Sequence, residues 1–170
     1  MGNSRDPVYL TETDIISLVD SIKNRRDKII FELFYETGCT VNELVKISVE
    51  DINLKDNTLT IPAAHTKNKK KRIVQISNKL SKKIFLYKQK NELKKSLFVS
   101  RQSNRLTERR VQQIMSMYSK QTLSKQISPH DIRIAHIIHS FIDEKPIPEI
   151  EKEIGIQNIQ PYIYGYFKQK

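Results

Sequence analysis

Cysteine occurs once, at Cys39, which excludes an internal disulfide and any cysteine-built zinc cluster. A reducing, intracellular setting fits that scarcity. Long apolar runs are missing too. The most apolar late stretch, 134–142, is too short to span a bilayer and carries His136 and His139. The opening MGNSRDPVYL is too polar for a signal peptide, and Asp6 stands where N-myristoylation needs a hydroxyl residue. A soluble chain without a membrane partner is therefore expected. No repeat and no Pro-, Gly- or Ser-rich linker interrupts the sequence. Acidic residues are in deficit: 19 Asp and Glu face 30 Lys and Arg, a formal charge of +11. That imbalance points to a polyanionic partner, either nucleic acid or an acidic membrane surface.

What is present suffices for one domain with a core, since 38% of the 170 residues are hydrophobic. Residues 1–7 read as a flexible arm and 8–170 as the domain. Thr11 and Asp14 mark a helix start, followed by an apolar stripe of Ile15, Leu18, Val19 and Ile22. A second helix is predicted from about Arg26 to Glu36, stopped by Gly38, and a short third over 41–47. The period then changes, and 49–54, 58–62 and 72–76 read as three short strands, with Asp56-Asn57 as the first turn. Helical patterns resume at 78–93, 107–120, 129–142 and 147–154, and a tyrosine-rich tail, PYIYGYF, closes the chain. The fold class expected is α+β: mainly helical with a small three-stranded antiparallel sheet.

Base accumulates between residues 67 and 110. Lys67, Lys69, Lys70, Lys71 and Arg72 crowd the tip and return arm of the predicted hairpin, where they can follow a groove and displace counterions from phosphates. Lys79, Lys82, Lys83, Lys88, Lys90, Lys94 and Lys95 follow, then Arg101, Arg105, Arg109 and Arg110. The arginines suit phosphate because guanidinium offers a planar donor fork. Ser128-Pro129 announces a helix on which His130 and Arg133 share a side. There Arg133 can hold the non-bridging oxygens of a phosphate while His130 donates a hydrogen bond or moves a proton. His136 and His139 have the same spacing, but no acid or cysteine completes a metal site, and both read as surface or partly buried histidines.

In chain order, several stretches resemble the tyrosine recombinase (phage integrase) family. FELFYETGCTVNEL resembles its T-G-x-R-x-x-E-L signature, VEDINLKDNTLTI the strands that follow, and TKNKKKRIVQI the hairpin bearing the catalytic lysine, here Lys67. LFVSRQSNRLTERRVQQIM resembles the segment before the next helix. SPHDIR resembles the H-x-x-R box, with its histidine and second arginine at His130 and Arg133. EIEKEIGIQNIQPYIYGY resembles the closing stretch that ends in the nucleophilic tyrosine. The likeness runs from Val8 to Phe167. It implies a domain that clasps double-stranded DNA, a tyrosine that forms a 3′-phosphotyrosyl link, and no metal or nucleotide cofactor.

The sequence also departs from the family. Thr40 stands where the first catalytic arginine belongs, while Glu43 keeps the acidic position, to which a structural part is assigned. Losing such a charge contact removes on the order of several kcal/mol of transition-state stabilisation, about a thousandfold or more in rate. Ile156 replaces the usual histidine or tryptophan after Gly155, and the family register places the tyrosine at Gly165, between Tyr164 and Tyr166. Tyr164 has the better local match and Tyr166 is the alternative. The separate DNA-clamping domain common in the family does not precede PVYLTETDI, which leaves a single-domain variant and a piece of a longer protein both open. A monomer without DNA, with self-association on DNA, is expected. Three functions compete: a recombinase with an eroded site, a recombinase with a rearranged one, and a DNA-binding accessory or architectural protein that lost the chemistry.

Overall fold

The computed structural model describes residues 7–102 and 104–169. The arm expected over 1–7 lies outside the described residues except for Pro7. Three helices come first: α1 (Glu12–Ser21), α2 (Arg25–Thr37) and α3 (Val41–Lys46). Each starts on a side chain that takes an orphan backbone N–H: Thr11, Asn24 and Thr40 accept from Asp14, Asp27 and Glu43. Gly38 ends α2 in the left-handed region at φ 57°, and a β-carbon there would meet His136 and Ile154 side-chain carbons at 2.8 Å.

The sheet is β1 (Ile52–Asn53), β2 (Thr58–Ile61) and β3 (Arg72–Gln75), antiparallel and in that order. It is smaller than the sequence predicts, because 49–51 form a turn of 3-10 helix instead of strand. Ile61 pairs with Arg72 and Leu59 with Val74, so these four side chains share the inner face while Ile73 and Gln75 point out. Arg72 is thereby turned inward. It was expected among the DNA-contacting cations of the hairpin, and strand alternation removes it from them.

Five more helices follow: α4 (Asn78–Lys90), α5 (Glu108–Leu123), α6 (Pro129–Ile142), α7 (Ile147–Ile154) and α8 (Gln160–Lys168). The tyrosine-rich tail is thus a helix. The main core gathers Leu18, Ile30, Phe34, Leu44, Leu59 and Phe98 with apolar residues of α4 and α5. A second cluster of Ile137, Ile150, Ile154 and Ile159 seats α7 and α8 against α6, with Tyr162 and Ile163 packed on its edge. No helix among the described residues is long and apolar enough to cross a membrane.

His136 and His139, read as surface or partly buried, are both interior. His139 Nε2 lies 2.9 Å from the Leu10 carbonyl and its Nδ1 2.9 Å from the Tyr35 hydroxyl. The carbonyl fixes the proton on Nε2 and leaves Nδ1 to accept from Tyr35. His136 Nδ1 lies 2.7 Å from the Tyr35 carbonyl and must carry the proton, while Nε2 has no partner and faces Glu153 at 3.9 Å.

Two outcomes test this packing. Arg72 and Glu43 form a buried two-pronged ion pair with both contacts at 2.7 Å. Glu43→Gln strands the Arg72 charge, so equilibrium unfolding in urea should show a loss of about 3–5 kcal/mol, part of it recovered by adding Arg72→Met. Burial holds the pKa of His136 below its ordinary value, against the opposing pull of the Tyr35 carbonyl and Glu153. The unfolded chain therefore takes up the proton first as pH falls. Stability should be flat above about pH 6.5 and decline below it, with a smaller decline in His136→Gln; equal midpoints at pH 7.5 and 5.5 would contradict this.

Candidate active site

Two helices end against the same guanidinium. Arg133, 7% exposed on α6, donates from Nη1 to the carbonyl of Gly38 at the end of α2 and from Nη2 to that of Ile154 at 2.8 Å at the end of α7. Helix C-termini carry unsatisfied carbonyls and partial negative charge, so a buried cation is the natural partner. Burial pulls the pKa of Arg133 down, and the carboxylate of Glu43 opposes that.

The end of α7 is fastened further. Arg72 Nε donates to the Glu153 carbonyl at 2.7 Å, and Asn68 Nδ2 to the Gly155 carbonyl at 2.9 Å. Three consecutive carbonyls, 153 to 155, are thus taken by side chains from β3, α6 and the β2–β3 loop. Gly155 turns at φ 71°, and a β-carbon there would lie 3.2 Å from Arg72 Nη1. The Asn68 contact draws the loop bearing Lys67 over the turn whose neighbouring carbonyl receives Arg133. Lys67 itself is exposed, as are Lys69, Lys70 and Lys71, with Lys69 in the left-handed region.

Thr40 is a cap. Its hydroxyl accepts from Glu43 N at 3.2 Å while Glu43 Oε2 accepts from Thr40 N at 2.8 Å. Glu43 therefore does two jobs, closing this box and pairing with Arg72. Burial works to raise its pKa, but the Arg72 hydrogen bonds and charge win and hold it below the usual carboxylate value.

His130 sits one turn before Arg133 and is exposed at the mouth of the site. Partial desolvation holds its pKa below the ordinary imidazole value; Asp131 opposes this and the Arg133 charge adds to it. The imidazole is thus neutral at neutral pH and able to accept a proton. Its ring meets the edge of Tyr162, with centroids 6.1 Å apart and planes at 65°.

The two tyrosines expected here do not face this pair. Tyr164 is 71% exposed, and Tyr166 packs edge-on against Tyr9 at 5.4 Å and Phe167 at 5.2 Å. Ile156 is half-buried at the edge of the second core cluster. Among the outlying arginines, Arg101 and Arg109 are exposed, while Arg105 braces the end of α3 by donating to the Val45 carbonyl at 3.0 Å. Asn68 escaped the reading of the sequence, while Tyr162 stands in the tyrosine-rich tail, where the sequence ranks Tyr164 and Tyr166 ahead of it. Helical spacing pairs Tyr162 with Tyr166, whereas Asn68 gives no local signal.

Three comparisons bear on this arrangement. Residues 8–164 match the phage integrase family. The tyrosine recombinase XerC of Thermodesulfovibrio yellowstonii is 30% identical over 177 residues, covering 93% of this chain and 58% of that protein. The tyrosine recombinase XerA of Pyrococcus horikoshii is 29% identical over 163 residues, covering 92% and 56%. The chain thus spans a little over half the length of these curated relatives. Among solved structures, the crystal structure of XerA recombinase superposes with a TM-score of 0.83 at 20% identity, covering 98% of this chain and 66% of that one. XerH site-specific recombinase, crystallised on its palindromic difH substrate after cleavage, gives 0.79 at 16%, covering 95% and 50%. The chain belongs to the phage integrase family, and its fold is that of a tyrosine recombinase catalytic domain.

Proposed function

We propose that this domain clasps duplex DNA and breaks and rejoins its strands through a phosphotyrosine link, with a site weakened by the loss of the first arginine. The exposed lysines Lys67, Lys69, Lys70 and Lys71 flank Asn68, which holds the Gly155 carbonyl next to the one that receives Arg133, and Arg101 and Arg109 are exposed further along the chain. Cations so placed suit a phosphate backbone, and the similarly folded XerH is bound to its DNA substrate. In this reading His130 moves protons at the phosphate, Lys67 protonates the leaving oxygen, and Arg133 supplies positive charge. No metal or nucleotide enters, because the phosphotyrosine conserves the broken bond. Copies of the domain assemble on the DNA.

One observation carries the weakness. Thr40 offers a neutral hydroxyl where charge would build on the phosphate, and that hydroxyl is already occupied in capping α3. The same neighbourhood favours a second reading, an architectural DNA-binding protein that no longer cleaves. Arg133 is the remaining arginine of the pair, and two backbone carbonyls hold its fork.

Binding and chemistry separate in two experiments. Titrating random-sequence duplex at several salt concentrations should give a steep dependence of log affinity on log salt. Lys69→Ala, Lys70→Ala and Lys71→Ala combined should reduce that slope by about 2–3, roughly 0.9 for each phosphate no longer neutralised, and an unaltered slope would take the hairpin out of the interface. Cleavage is read by covalent adducts on nicked duplexes. Thr40→Arg should raise adduct yield on the order of tenfold or more, at the expense of about 1 kcal/mol of capping. Methylphosphonate in place of the phosphate removes the charge Thr40 leaves unneutralised and should raise yield in the wild type more than in Thr40→Arg. Absence of adduct in every case, with binding intact, supports the architectural reading.

A further inference from the structure

The residues of α8 are sorted by the turn of the helix. At 3.6 residues per turn, Tyr162 and Tyr166 lie on nearly the same side and Tyr164 on the opposite one. Exposure agrees, since Tyr164 faces solvent while Tyr162 and Tyr166 are half-buried. Position 165, where the family register points, is a glycine, and a β-carbon there would stand 2.7 Å from the Tyr9 hydroxyl, which would have to shift. The N-terminal segment around Tyr9 is held on α6, with Val8 N bound to Asp131 Oδ1 at 3.0 Å and the Leu10 carbonyl facing His139 Nε2. Tyr166 is turned to the same segment, its ring on Tyr9. Among the described ring contacts of these three tyrosines, it is Tyr162 that meets His130, and its hydroxyl lies within electrostatic range of Arg133. It is seated by the cluster containing Ile154, whose own carbonyl receives Arg133.

We infer that Tyr162, rather than Tyr164 or Tyr166, is the nucleophile of strand cleavage. The assignment rests on the phosphotyrosine chemistry proposed above. In the step, the Tyr162 hydroxyl passes its proton to neutral His130 and its oxygen attacks phosphorus. The bond from phosphorus to the 5′ oxygen breaks, its electron pair stays on that oxygen, and Lys67 delivers a proton to it. A 3′-phosphotyrosyl link and a free 5′-hydroxyl result; the reverse sequence rejoins the strand.

The test uses random-sequence duplexes with sulfur in place of the bridging 5′ oxygen. The thiolate leaves without protonation and rejoins poorly, so adducts accumulate even in a slow enzyme. Wild type and Thr40→Arg are each compared with Tyr162→Phe, Tyr164→Phe and Tyr166→Phe, and adducts are located by peptide mass mapping. Phenylalanine keeps the ring against His130, and thermal melting checks that each variant folds. The expected result is an adduct on Tyr162 that falls about a hundredfold or more in Tyr162→Phe and stays within about threefold in the other two. An adduct on Tyr164 or Tyr166, or one that survives Tyr162→Phe, overturns the assignment and leaves the recombinase reading intact. No adduct in either background, with DNA binding retained, removes the cleavage reading and this assignment with it.

Discussion

The guanidinium of Arg133 closes the ends of α2 and α7 onto α6, and the rest of the site is arranged around that contact. Hydrogen bonds from a charged donor contribute about 1.5–3 kcal/mol each, and two of them here join segments 95 and 21 residues away along the chain. The turn that bears Thr40, the hairpin that bears Lys67 and the helix that bears Tyr162 are all positioned relative to those two carbonyls. On the DNA-cleavage reading proposed above, a phosphate entering the site meets a cation already engaged with helix ends. It gains the field of Arg133 at once, but gains its hydrogen bonds only by drawing the fork away from Gly38 or Ile154.

Burying this much charge is tolerable because no member is left alone. Arg72 answers Glu43, Glu43 closes the α3 cap, and Arg72 and Asn68 take the carbonyls on either side of the one held by Arg133. A network in which each donor has an acceptor is rigid, and rigidity of this kind is what a site needs to hold groups within a fraction of an ångström. His136 is the exception. Its unpartnered Nε2 stands at the edge of the network, beside a Glu153 that Lys145 already holds at 2.6 Å.

Most helix limits were legible because punctuation sets them. Ser128-Pro129 begins α6, and Gly38 and Gly155 end α2 and α7, just as capping chemistry demands. The last helix was not legible, since Gly165 and three tyrosines are poor local evidence for a helix; packing of Tyr162 and Ile163 on the second core cluster stabilises it. Arg72 was misplaced by attending to its charge rather than to its parity with Val74 along β3. His130 and Arg133 stand out in the sequence as a four-residue motif at the start of α6, and Lys67 as part of a basic loop. The carbonyls that fix Arg133 belong to distant backbone, which every sequence possesses, so nothing in the residue pattern marks them.

Thr40 gives the chain a direction in which change is easy. Threonine begins a helix well and arginine does so poorly, so threonine at this position steadies α3 and arginine there would loosen the helix that carries Glu43. Because Glu43 also anchors Arg72, the loosening would spread through the buried pair to the end of α7. A domain with arginine at position 40 would have to recover stability elsewhere, so on the cleavage reading proposed above catalytic competence and a well-anchored fold are opposed at this one residue.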